Sequence, residues 1–111
     1  MAALLVLTNL PDGDSARAVA RHLISARLAA CVNILAPCRS VYRWDGRLEE
    51  ADEVPMLIKT NSECYAALEA AIREKHPYEL PEIVAVPIGC GLPEYLAWVA
   101  AETHTTLSSP C

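Results

Sequence analysis

Phenylalanine is absent from this chain, and all aromatics together make up 5% of its 111 residues. Aliphatic side chains and alanine therefore carry most of an apolar content of 53%. That is enough for one core, and the length fits a single domain. A domain this small buries a modest share of its surface and gains from oligomerisation. Basic residues are scarce as well: nine Lys and Arg stand against fourteen Asp and Glu, for a net charge of -5. They are spread from Arg17 to Lys75 without clustering. No basic face for a nucleic-acid duplex or an anionic membrane is expected from such a pattern.

A long apolar run is missing too. Leu4-Leu5-Val6-Leu7 falls far short of the roughly 20 residues that span a bilayer. No Lys or Arg precedes it and no cleavage-site pattern follows, so it does not read as a signal peptide. The expected location is the cytoplasm. The cysteines (Cys31, Cys38, Cys64, Cys90 and Cys111) are odd in number and form no CxxC. Their spacing suits neither a secreted disulfide framework nor a zinc ribbon. They are expected to be mostly small buried hydrophobes with reduced thiols. Copper(I) binding by Cys31 and Cys38 is the alternative, although seven positions apart on an undistorted strand they face opposite sides.

Motifs of covalent and nucleotide chemistry are lacking. GxSxG, a P-loop and GxGxxG do not occur, and three histidines are little material for acid–base work. The chain is not expected to be an enzyme.

What is present is a clear succession of elements. Residues 3–8, "ALLVLT", form the continuous apolar run of a central strand covered on both faces. Asp12 or Asp14 can cap a helix running to about Leu28, with Ala16, Val19, Ala20, Leu23 and Ile24 on its apolar side. Residues 30–35 read as a strand broken at Ala36-Pro37 and resumed over 39–44. Asp45-Gly46 signals a type I′ hairpin, and a long return strand covers 47–60, with Pro55 marking a bulge or an edge position. Thr60 and Glu63 fit a capping box ahead of a second helix that carries Tyr65, Leu68 and Ile72 and is stopped by Pro77. A strand over 82–88 and a helix over 91–102, with Pro93 in its first turn, follow.

The order is β-α-β-β-α-β plus a helix, so the expected fold is α+β. It is a ferredoxin-like βαββαβ sandwich with a long β-hairpin and an extra C-terminal helix, formed by residues 1–103. Residues 104–111, including His104, read as a frayed tail. The hairpin arms far exceed the usual strand of about 5–6 residues. Val41, Tyr42, Trp44 and Leu48 near the tip would lie in water unless a second copy covered them.

Three stretches have competing readings. The acidic run Glu49, Glu50, Asp52 and Glu53 is expected to be a solvated edge that discourages aggregation, because alternating side chains cannot converge on a cation. Lys59, at the end of a buried-looking strand, attracts an anion in a cleft or snorkels to the surface. In "KHPYELPEI", residues 75–83, Pro77 and Pro81 make a rigid helix-to-strand turn, with a His76 imidazolium favoured by the helix dipole. His76 with Glu79 or Glu82 also supplies two candidate metal ligands, which is not a closed site.

The blocks "LAACVNIL", "SVYRWDGRLEE", "LIKT", "HPYELPEI" and "EYLAWV" closely resemble the CutA family of divalent-cation tolerance proteins, from about Val6 to about Glu102. The resemblance implies a compact homotrimer, with Tyr42, Trp44 and Leu48 at its interfaces. It implies a role in tolerance of copper or another divalent cation, with no organic cofactor. It also implies clefts between subunits lined by Trp44, Lys59, Tyr78 and Glu82, with His76 at the rim. In some relatives copper is held by a first-strand cysteine and a histidine pair, and here those positions are Thr8 and Lys75-His76. The likeness to the trimeric P-II-type signalling proteins implies the alternative, a sensor that takes a small anion or metabolite in these clefts. An acylphosphatase is not expected, since no glycine-rich loop precedes Asn33. A copper chaperone is disfavoured by the missing CxxC.

Overall fold

The computed structural model describes residues 2–104. It contains β1 (Ala3–Leu10), α1 (Gly13–Ser25), β2 (Cys31–Ile34), β3 (Cys38–Trp44), β4 (Arg47–Asn61), α2 (Tyr65–Lys75), β5 (Ile83–Pro87) and α3 (Pro93–Ala101). The strands form one antiparallel sheet in the order β2-β4-β1-β5, and β3 continues beside the outer half of β4. This is the expected ferredoxin-like arrangement, drawn out by its hairpin to 46 × 27 × 24 Å.

The core lies on one face of the sheet. Val6 and Leu10 of β1 and Val54, Met56 and Ile58 of β4 meet Ala16, Val19 and Leu23 of α1 and Leu68 and Ile72 of α2. On the other face Leu5, Leu7 and Asn9 are only half-buried. The expectation that β1 is covered on both faces is therefore met on one. Ile24 also departs from its expected place, being 42% exposed beside β2.

Local chemistry sets the element ends. Asp12 has extended backbone, and its carboxylate accepts from Ser15 N at 2.8 Å, which starts α1. That bond, chiefly, holds the Asp12 carboxyl below its usual value. The helix ends earlier than Leu28, because Arg27 turns left-handed (φ 62). Arg27 N–H then donates to Ile24 O and Leu28 N–H to Leu23 O, closing a Schellman motif. An arginine in this conformation costs about 1 kcal/mol. Its guanidinium donates to Ala101 O at 3.3 Å, and its carbonyl accepts from His104 N–H at 2.9 Å, so both fasten the end of α3. The rest of the expected tail, residues 105–111, lies outside the described residues.

The hairpin turn is as expected, with Asp45 at φ 53 and Gly46 at φ 77. Pro55 is neither a bulge nor on an edge, since it sits opposite Asn9 inside the central strand β4. N–H and C=O of one strand residue point to the same side, and Pro55 O accepts from Leu35. The missing N–H therefore faces the break between β2 and β3, where the ladder already ends. The capping box is also replaced. Thr60 stays in β4 and its hydroxyl donates to Leu28 O at 2.7 Å. Asn61 Oδ1 instead accepts from Glu63 N and Cys64 N, turning the chain into α2.

Candidate functional site

The connector after α2 is sewn onto the sheet. His76 leaves the helix with extended backbone and is 8% exposed. Its Nε2 lies 2.6 Å from Asn9 O, and Tyr78 N–H donates to its Nδ1 at 3.2 Å. A carbonyl oxygen only accepts and a backbone N–H only donates, so these partners assign the neutral ring with the proton on Nε2. The dipole argument expected an imidazolium, but a proton on Nδ1 would take away the acceptor of Tyr78 N–H. The two rings pack with centroids 4.7 Å apart.

Tyr78 reaches Glu53 at the base of the hairpin. Burial, then the charge and hydrogen bond of Glu53, with Tyr42 and Asp12 contributing less, raise the phenol above its usual pKa. Glu79 and Glu82 are exposed, and Glu82 Oε1 accepts from Asn9 Nδ2 at 3.0 Å. Asn9 thus holds the connector at two points, through its carbonyl and through its side chain. Sequence reasoning passed over Asn9; its signal was a carboxamide interrupting the apolar run of β1.

The acidic run divides by face. Arg39 binds Asp52 at 2.8 Å and Glu50 at 3.2 Å across the hairpin, and these bonds raise its pKa further. Glu53 turns the other way, toward Tyr78. Beyond it the tip is apolar and uncovered: Tyr42 is 43%, Trp44 45% and Leu48 70% exposed.

Lys59 lies on the open face, opposite Cys31 and Leu5. It donates to Asn33 Oδ1 and has no ion-pair partner among the described residues. Trp44 sits opposite Arg47, at the far end of the same β4 strand. Lys59 is twelve positions along the strand from Arg47, about 40 Å at the usual rise. One chain therefore does not bring Trp44 and Lys59 together. Among the described residues, a groove of about 240 Å³ opens between α3 and the start of β1 and one of about 480 Å³ between α1 and β2. Neither is lined by Trp44, Lys59, His76 or Tyr78.

The copper donors that the resemblance implies do not form a site in this chain. Thr8 is 1% exposed, and its hydroxyl is buried without a hydrogen-bond partner. It sits between Met56 and Ile83, where the helices cover the sheet. Both nitrogens of His76 are taken, and Lys75 is exposed. Among the described residues no three His, Cys, Asp or Glu side chains are grouped as a metal would need. Cys31 is half-buried, and Cys38 and Cys90 are exposed; none of the three forms a disulfide. The buried Cys64 accepts from Asn61 Nδ2. Of the cysteines expected to be buried, Cys64 alone among the described residues meets that description.

The family model of the CutA1 divalent ion tolerance protein matches residues 4–102. The chain belongs to the CutA1 divalent ion tolerance family. It is 42% identical over 99 residues to the divalent-cation tolerance protein CutA of Thermus thermophilus, covering 89% of this chain and 96% of that protein. Protein CutA of Homo sapiens is 41% identical over 99 residues, covering 89% of this chain and 55% of the human one. The chain thus spans nearly all of the bacterial relative and about half of the human one. The solved structure of the Thermus thermophilus CutA1 matches with a TM-score of 0.90 at 41% identity, covering 92% of this chain and 99% of that one. A further match, at 35% identity and a TM-score of 0.89, covers 92% of this chain and 99% of the periplasmic CutA of Archaeoglobus fulgidus. Among the described residues no helix of this family member is long and apolar enough to cross a membrane.

Proposed function

We propose that this chain acts in the cytoplasm as a homotrimeric binding protein for divalent cations, copper foremost, and catalyses no reaction. The observation that carries the metal role is its likeness, over residues 4–102, to proteins named for divalent-cation tolerance. The trimer is supported by the uncovered hairpin, whose Tyr42, Trp44 and Leu48 need another chain against them. In this reading the donors come together between subunits. The exposed carboxylates of Glu79 and Glu82 supply oxygen ligands, and His76 joins only by giving up a hydrogen bond. Calorimetric titration of copper(II) into metal-free protein tests it. Saturable binding that weakens in the Glu79→Gln and Glu82→Gln variants is expected; absent binding defeats the reading.

Lys59 supports a second reading. A half-buried cation without an ion pair among the described residues suits a small anion in a cleft completed by a neighbouring subunit. Thermal stabilisation by a nucleotide or an organic acid, lost in Lys59→Ala while copper affinity is kept, is its signature. No thermal shift with any such anion would count against it.

A further inference from the structure

We infer that His76 is a positioning residue and not a metal ligand: its neutral ring fixes the connector to β1 and, through Tyr78 and Glu53, sets the base of the hairpin. The inference goes beyond the metal-binding reading, because it gives the histidine of "KHPYELPEI" a different task.

The argument runs along a continuous chain of contacts. At one ring nitrogen a proton is directed at Asn9 O over 2.6 Å, and at the other a lone pair receives Tyr78 N–H. A metal needs a ring nitrogen with a bare, accessible lone pair. At Nε2 it would displace the proton and orphan the Asn9 carbonyl. At Nδ1 it would displace Tyr78 N–H and release the backbone that seats the phenol. Burial at 8% exposure leaves little approach to either nitrogen. The second donor that the resemblance supplies is a threonine hydroxyl sealed at 1% exposure, a poor partner for copper.

The same contacts define the positive task. His76 holds Tyr78 by a backbone bond and by ring packing. Glu53, whose charge helps to raise the Tyr78 phenol above its usual pKa, is buried and paired with Cys38 at the first rung of the β3–β4 ribbon. Asn9, opposite Pro55, is two positions along β4 from that rung. The ring therefore connects the end of α2 to the place where the hairpin leaves the sheet.

The test uses the 111-residue chain labelled with ¹⁵N, in which three histidines keep the ring spectra simple. Long-range ¹H–¹⁵N correlations of His76 are recorded without metal and at saturating zinc chloride, a diamagnetic probe. Amide spectra of His76→Ala, His76→Gln and Tyr78→Phe complete the set. Expected are a proton on Nε2, a bare Nδ1 and no change of either with zinc. Displaced Glu53 and Val54 amides are expected in His76→Ala and Tyr78→Phe. They should be largely restored in His76→Gln, whose amide can donate to Asn9 O. Calorimetry should give His76→Gln a zinc affinity within about twofold of the parent. A zinc-induced change at either ring nitrogen, a proton on Nδ1, or hairpin-base amides unmoved in Tyr78→Phe would overturn the inference. A parent protein that takes up no zinc or copper would defeat the proposed metal function and leave the tautomer and variant spectra to decide the role of His76.

Discussion

The hairpin tip and the connector after α2 are both rich in side chains that invite a functional reading, yet one chain treats them oppositely. In the connector, His76 Nε2 and one carboxylate oxygen of Glu82 find partners on Asn9 of β1. His76 Nδ1 accepts from Tyr78 N–H within the connector, and the Tyr78 phenol feels the charge of Glu53 on β4. At the tip, Tyr42, Trp44 and Leu48 stay 43–70% exposed with nothing of this chain to cover them. A region whose groups are satisfied internally is architecture. A region whose apolar groups stay uncovered is where the proposed assembly would place a second copy of the chain.

The largest effect is expected where the chain is incomplete. Trp44→Ser combined with Leu48→Ser removes the apolar tip and should convert the assembled protein to monomers in sedimentation velocity. Unchanged association would show that the tip is not an interface. In the connector, His76→Ala leaves the Asn9 carbonyl and the Tyr78 N–H without partners, at a cost of roughly 2–4 kcal/mol in denaturant unfolding. A change within error would mean that water replaces the ring and that the connector is not the satisfied region described.

A third substitution should stabilise. Thr8→Val replaces a buried hydroxyl that has no partner by a methyl group of similar shape, adding about 1 kcal/mol. A loss of stability would mean that the hydroxyl makes a bond in solution. The smallest effect concerns pH. Asp12 has its native pKa lowered by the cap bond to Ser15, so its contribution is complete above the ordinary carboxylate value. It fades as pH falls through the lowered native one. Asp12→Asn keeps the cap but should flatten that part of the acid-unfolding curve. An unchanged slope between pH 5 and 2 would remove the cap from the account.

Much of the fold was legible because period and punctuation agreed. The positive φ values at Asp45 and Gly46 follow from the residue pair, and the core positions of α1 follow from helical spacing, Ile24 excepted. Three features were not legible. Pro55 in a central strand depends on where β2 ends, which is a tertiary fact. The turn before α2 is held by Asn61 and not by Thr60, whose hydroxyl is used by Leu28 O on a remote loop, and the helix starts after Cys64 with no side-chain cap. Asn9 as the anchor of the connector rests on contacts to residues 67 and 73 positions away, which no local pattern encodes. The metal reading of His76 shows the limit most plainly: residue type and spacing could propose a ligand, but only the partners of its two nitrogens show that both are in use.

Native mass spectrometry of the metal-free protein during titration with copper(II) tests the central claim most directly, since it reads assembly and metal uptake in one spectrum. The account predicts a trimer as the main species, taking up copper saturably as a trimer. A monomer that binds copper equally well, or a trimer that binds none, would contradict it.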